Sequence, residues 1–174
     1  MSEVQSEPKL CPDNIAIIGG GRWARVIVSV LCELVPLEVN ISMHFRHNMA
    51  LMLAWIKKQG LTDRIQLSST WPQFSTVHSS AIIVVNAARD HEAAVEHALS
   101  IGAPVLVEKP IAINSMDAER LANLASNVNG QIAAAQVFLF ARYIENFSKL
   151  ITSSGQIVSR NLVSIMQMVF MLRI

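Results

Sequence analysis

The strongest constraint in this chain is Ile15-Ala16-Ile17-Ile18-Gly19-Gly20-Gly21-Arg22-Trp23-Ala24, an apolar run, a glycine turn and the start of an amphipathic segment. That order reads as strand, tight turn and helix N-terminus, with Gly19, Gly21 and Ala24 at the three small-residue positions of a dinucleotide-binding fingerprint. The first glycine lets the backbone reverse, the second leaves no side chain in the path of a pyrophosphate, and the third small residue lets helix pack on strand. An anion held there rests on free N–H groups and on the positive end of the helix dipole. Arg22 and Trp23 share that first turn and join the cofactor-binding candidates. A glycine turn of this kind also arises by chance, so its surroundings decide what it means.

At 174 residues the chain can bury a core and hold one domain, or one and a fraction. A hydrophobic content of 52% with 16% charged residues excludes disorder as the organising state, and a net charge of +1 gives no reason to expect nucleic acid or a membrane surface as partner. Cys11 and Cys32 are too few and too far apart for a disulfide framework or a metal motif, so a reducing, cytoplasmic setting is expected and no metal is assigned. Residues 1–13 carry no apolar core and read as a leader, neither signal peptide nor anchor. The apolar stretch at 162–172 falls short of the roughly 20 residues a membrane span needs. It reads as an element seeking a partner, with a homo-oligomer as the expectation.

Beyond the turn, Trp23, Val26, Ile27, Val30, Leu31 and Leu34 recur at helical spacing until Pro36 ends the helix. Val39, Ile41, Met43 and Phe45 then alternate with polar residues, the period of a strand. In such a unit the adenosine ribose lies near the end of this second strand, about 20 residues beyond the glycines. An NAD-selecting site places Asp or Glu there, whereas this chain reads His44-Phe45-Arg46-His47-Asn48. Arg46 is therefore the candidate for gripping a 2′-phosphate through a forked, charge-assisted contact, with a solvated surface arginine as the other reading. NADP is expected over NAD. His44 and His47 read as surface or packing histidines.

A helix is expected from about Met49 to Gln59, with Leu51, Met52, Trp55 and Ile56 apolar and Gly60 as its stop. Ile65 and Leu67 suggest a short strand, and Trp71-Pro72-Gln73-Phe74 a brief helical turn. Ala81-Ile82-Ile83-Val84-Val85 has the unbroken apolar character of a parallel strand covered on both faces. Its carboxyl end, from Asn86 to His91, should open on the ligand crevice, which makes Asn86 and His91 cofactor candidates. A helix with Ala94, Val95, Ala98 and Leu99 inward and Gly102 as stop follows, then the strand Pro104-Val105-Leu106-Val107, with Glu108-Lys109-Pro110 at its end. Asn114 can cap the next helix, whose stripe is Leu121, Leu124, Ala125 and Val128, and residues 131–137 read as a sixth strand. A further helix uses Tyr143, Ile144, Phe147, Leu150 and Ile151. The class is α/β, a Rossmann-type doubly wound parallel sheet over residues 14–137, with residues 138–174 as a helix and the start of a second domain.

The glycine turn, His91 after a buried strand, and Gly102-Ala103-Pro104-Val105-Leu106-Val107-Glu108-Lys109-Pro110-Ile111-Ala112 together resemble the glucose-fructose oxidoreductase/inositol dehydrogenase/MocA-like family over roughly residues 14–155. The Glu-Lys-Pro after a late strand is the specific part. The resemblance implies that Lys109 lies near the nicotinamide and the reacting oxygen, orienting substrate and assisting proton transfer, with a protonated lysine polarising a carbonyl. It further implies that Glu108 orients the lysine and the nicotinamide side, that Pro110 shapes the turn through a cis peptide, and that His91 helps shape the cofactor crevice. An ordinary strand-end ion pair and helix-start packing are the plainer readings of the same residues.

Two departures from the family pattern stand out. Leu139 occupies the place of an arginine in Gln136-Val137-Phe138-Leu139-Phe140, and Val158-Ser159-Arg160-Asn161 replaces the entry to a large antiparallel sheet domain. That second domain is expected to be largely absent, through truncation or a frameshift near Ile157. The expected function is the NADP- or NAD-binding half of an oxidoreductase transferring hydride to or from a sugar, polyol or similar carbonyl compound. The alternatives are a non-catalytic dinucleotide-binding module and, last, a methyltransferase using S-adenosylmethionine, for which the acidic residue closing the second strand is missing.

Overall fold

Six short runs of β-branched and aliphatic residues are too brief to be stable singly, and they pair into one sheet that buries them. The computed structural model describes residues 11–74 and 80–136, together with Ile144, Asn146 and Lys149. The elements run β1 (Asn14–Ile18), α1 (Arg22–Leu34), β2 (Asn40–His44), α2 (Met49–Lys58), β3 (Ile65–Ser68), β4 (Ser80–Val84), α3 (His91–Ser100), β5 (Val105–Val107), α4 (Ser115–Val128) and β6 (Ile132–Ala134). All neighbouring strands are parallel, in the order β3-β2-β1-β4-β5-β6. The order reverses between β1 and β4, where crossovers leave in opposite directions and open a crevice at the strands' carboxyl ends.

Register divides the core in two. Ile15 and Ile17 stand beside Ile41 and Met43, and α1 and α2 cover that face through Ala24, Val28, Met52 and Ile56. Ala16 and Ile18 stand beside Ile82 and Val84, and α3 and α4 cover the other face through Ala94, Val95, Ala98, Leu121 and Ala125. Each fully buried isoleucine contributes about 1.5–3 kcal/mol of transfer free energy. The doubly wound α/β class is therefore observed, with both sheet faces helix-covered.

Helix ends follow local chemistry. At Gly60, with φ of +69°, the N–H of Leu61 donates to Ile56 O and that of Gly60 to Lys57 O, the paired bonds of a glycine stop. Asn114 Oδ1 accepts from the Asp117 N–H at 2.9 Å and caps α4, as expected. Arg64, which precedes β3, gathers the carbonyls of Val35, Pro36, Leu37 and Val39 and so ties off the loop from α1 to β2.

The structure corrects the packing of four segments. α1 buries Ala24 and Val28, with Ile27 and Leu31 partly covered, while Trp23, Val26, Val30 and Leu34 remain exposed. The helix is apolar around most of its girth, and the face that won carries the small residue that lets it approach β1 closely. Leu51 and Val128 are likewise exposed rather than buried. Residues 71–74 form no helical turn; His97 Nε2 bonds the Pro72 carbonyl at 2.8 Å and the His97 ring packs near Trp71, which ties the segment to α3.

The chain divides into two compact units, Met1–Ala135 and Gln136–Ile174. In the second, Ile144, Asn146 and Lys149 are helical. The expected helix positions Tyr143, Phe147, Leu150 and Ile151, the departure at Leu139 and the tail at 162–172 lie outside the described residues.

Candidate functional site

Three consecutive glycines at the end of β1 do three different jobs. Gly19 has φ of +147°, and a Cβ there would lie 2.9 Å from the Val85 carbonyl carbon and oxygen. Its N–H donates to His44 O at 3.0 Å, so the turn is clasped between the ends of β4 and β2. Gly20 lies under the Phe45 ring, where a Cβ would come within 2.6 Å of two ring carbons. At Gly21 nothing lies within 4 Å of an added Cβ, and its backbone is ordinary extended chain, φ −83°. Neither strain nor packing requires glycine at 21. The open space is what a ligand approaching the backbone would need.

Gly21 is also the N-cap of α1, with no side-chain cap, and the first turn holds no acidic residue. The N–H groups of Arg22, Trp23 and Ala24 therefore have no intrahelical partner by helix geometry, and the positive end of the helix is uncompensated. They face a cavity of about 900 Å³ lined by the glycine turn, the segment from His44 to Asn48, and Asn86 and Ala87. That volume lies within the usual range for small-molecule and cofactor sites, roughly 300–1,000 Å³. Asn86 adds a pointer of its own: Nδ2 donates to Asp90 O at 3.2 Å, but the buried Oδ1 has no partner and is left for a donor from a ligand or water.

Of the residues singled out from sequence, Gly19, Gly21, Arg22, Trp23, Arg46 and Asn86 line this cavity. Ala24 is fully buried beneath it, where α1 meets the sheet. Arg46 and His47 are exposed on the rim, next to the N-terminus of α2, which also lacks a side-chain cap and an acidic first turn. His91 lies outside the lining. It is only 2% exposed, with Nδ1 at 2.7 Å from Pro110 O and Nε2 at 3.2 Å from Asn86 O, so it braces the end of β4 against the turn after β5.

Glu108 and Lys109 follow β5, neither they nor Pro110 being among the residues that line the cavity, and the Lys109–Pro110 peptide is cis. Glu108 Oε1 accepts from Trp23 Nε1 at 2.7 Å and Oε2 from the Lys109 backbone N–H at 3.1 Å. The contact that Glu108 makes with Lys109 is to the backbone N–H and not to the side-chain ammonium. Among the described residues no group of three metal-ligating side chains comes together, and no helix is long and apolar enough to cross a membrane.

Sequence reasoning passed over Gly20 and Phe45. The signal was the unbroken Gly-Gly-Gly run, since a fingerprint naming its first and third glycines gives no reason for the second. His44 has a packing role at the cavity wall. Its Nδ1 donates to the Thr70 carbonyl at 2.8 Å, and in the neutral ring Nε2 accepts from Ser42 Oγ at 2.9 Å.

Burial pushes the His44 imidazole below its ordinary value near 6.5, although the Thr70 carbonyl favours the charged form. Between the lowered folded pKa and the unfolded one, the unfolded chain binds more protons, so stability increases with pH. The contribution is fully present above about pH 6.5 and declines as pH falls below it. Thermal melts between pH 7.5 and 5 should show a decline on acidification that shrinks in His44→Gln. An identical decline in both proteins contradicts this role.

The sequence profile of an oxidoreductase family with an NAD-binding Rossmann fold matches residues 14–136, well over half of the chain. The chain belongs to the Gfo/Idh/MocA oxidoreductase family. The match bears out the resemblance and sets the methyl-transfer alternative aside. No protein of curated function matches the chain in sequence.

Among solved structures, scyllo-inositol dehydrogenase from Lactobacillus casei with bound NAD(H) and scyllo-inositol is 17% identical, with a TM-score of 0.65, over 85% of this chain and 43% of that one. Biliverdin reductase from Synechocystis, in complex with biliverdin and NADP+, is 17% identical with a TM-score of 0.65, over 83% of this chain and 44% of its own. A Gfo/Idh/MocA family oxidoreductase from Vibrio cholerae is 21% identical with a TM-score of 0.59, over 70% and 38%. These likenesses speak for the fold. The Gfo/Idh/MocA chain described here covers 38–44% of the length of the three.

Proposed function

We propose that this chain binds NADP in the crevice above β1 and β4 and forms the dinucleotide half of an oxidoreductase acting on a sugar, polyol or similar carbonyl compound. The observation that carries the NADP preference is the end of β2. His44-Phe45-Arg46-His47-Asn48 brings a guanidinium and no carboxylate to the cavity rim, beside the acid-free N-terminus of α2. A 2′-phosphate gains a forked contact from Arg46 and the favourable end of that helix, whereas a ribose hydroxyl finds no carboxylate to accept its proton. The pyrophosphate would be held by the first-turn amides of α1, and Asn86 Oδ1 is free to accept from a ribose hydroxyl.

When bound, the nicotinamide supplies or takes a hydride. Lys109 would polarise the substrate carbonyl and move the accompanying proton, and Glu108 would fix the lysine's backbone beside the crevice. Calorimetric titration tests the cofactor reading. NADPH should bind about tenfold or more tightly than NADH, and Arg46→Ala should remove the difference. Equal affinities, or a preference indifferent to Arg46, sink it.

A second reading is a dinucleotide-binding module without catalysis, since the family match over residues 14–136 is to an NAD-binding Rossmann fold. Hydride transfer needs the substrate carbon held against the nicotinamide, and that orientation accounts for many powers of ten in rate. The reduced-nicotinamide absorbance, followed against a panel of sugars and polyols, separates the two. Turnover that falls about 100-fold or more in Lys109→Ala supports catalysis. Saturable cofactor binding without turnover supports the module.

A further inference from the structure

The hydrogen bond between Trp23 and Glu108 joins residues 85 apart in sequence, one in the first turn of α1 and the other at the end of β5. Between their strands lies β4. Trp23 is 46% exposed, so its place in the fold does not come from burying the ring. What fixes the indole is its single polar atom, 2.7 Å from Glu108 Oε1. The carboxylate is held from both sides, because the Lys109 N–H takes Oε2. A carboxylate has about four acceptor directions, so one on each oxygen stays open.

The crevice has two ends. A dinucleotide whose pyrophosphate lies on α1 places its adenosine toward β2, where Arg46 stands, and its other nucleoside toward β4 and β5. Glu108 follows β5 and is tied to that side of the crevice by its bond to Trp23, which lines the cavity. We infer that Trp23 is a positioning residue: its indole N–H holds the Glu108 carboxylate at the nicotinamide end of the crevice, where it accepts a hydrogen bond from the ligand's ribose or carboxamide. The inference rests on the dinucleotide reading above and goes beyond it, since it assigns the two ends of the ligand to different residues.

The test uses the full chain and two ligands, NADPH and adenosine 2′,5′-bisphosphate, which lacks the nicotinamide nucleoside. Trp23→Phe keeps the ring and deletes the N–H. It should weaken NADPH about tenfold while leaving the bisphosphate within about twofold of wild type, because a charge-assisted bond is lost at one end only. In a Glu108→Ala background, where no acceptor is left for the indole, the same change should cost no further NADPH affinity, the signature of two residues acting through one contact. A merely structural tryptophan would weaken both ligands together or add its cost to that of Glu108→Ala, and either result overturns the inference. Undiminished NADPH binding by Trp23→Phe overturns it as well. Failure of the wild-type chain to bind NADPH overturns the dinucleotide reading itself and the inference with it.

Discussion

Alanine at position 19 is expected to cost the protein about 3–5 kcal/mol of folding stability. Two penalties combine. A φ of +147° lies in territory that side-chain-bearing residues rarely enter, and the new Cβ would stand 2.9 Å from the Val85 carbonyl. The obstruction is backbone, so no rotamer change relieves it, and relief requires β1 to part from β4 at the centre of the sheet. The Gly19 bond to His44 O would be lost with the turn. Urea denaturation checks this: a midpoint near that of wild type would mean that the turn is not clasped as described.

Alanine at position 21 should do the reverse, leaving the fold standing and emptying the site. Its backbone suits any residue and its Cβ meets nothing within 4 Å, so folding should lose no more than about 1 kcal/mol, the cost of alanine at an N-cap. The same methyl stands in the space a pyrophosphate would use to reach the α1 amides. NADPH affinity should therefore fall about 100-fold, read by titration beside a melting curve that scarcely moves. Undiminished affinity would place the ligand elsewhere. The contrast between two neighbouring glycines separates what the turn does for the fold from what it does for a ligand.

Much of this was legible because some chemistry is local. The spacing of Gly19, Gly21 and Ala24 follows from covalent geometry and a phosphate's size, and the structure puts the first two at the cavity and the third on the buried face of α1. Asn114 caps α4 through a bond spanning three residues, and Gly60 stops α2 within one turn. The face α1 presents to the sheet was not legible, because Trp23, Val26, Val30 and Leu34 are as apolar as the residues that won. Close approach to β1 chose Ala24 and Val28, and close approach is a tertiary demand. Three pairings were hidden for a like reason. Gly20 under Phe45, His91 against Pro110 and Trp23 with Glu108 each join distant parts of the chain. Residues 71–74 carry turn-forming composition, yet form no helical turn, and contacts of Trp71 and Pro72 with His97 tie them to α3.

The most direct test of the account follows amide chemical shifts of the full chain as NADPH is added. Saturable shifts should be largest at Gly20, Gly21, Arg22 and Trp23, reach Arg46 and His47 at one end and the Trp23 indole N–H at the other, and spare the outer surface of α4. Shifts absent at millimolar NADPH, or confined to residues away from the glycine turn, would contradict it.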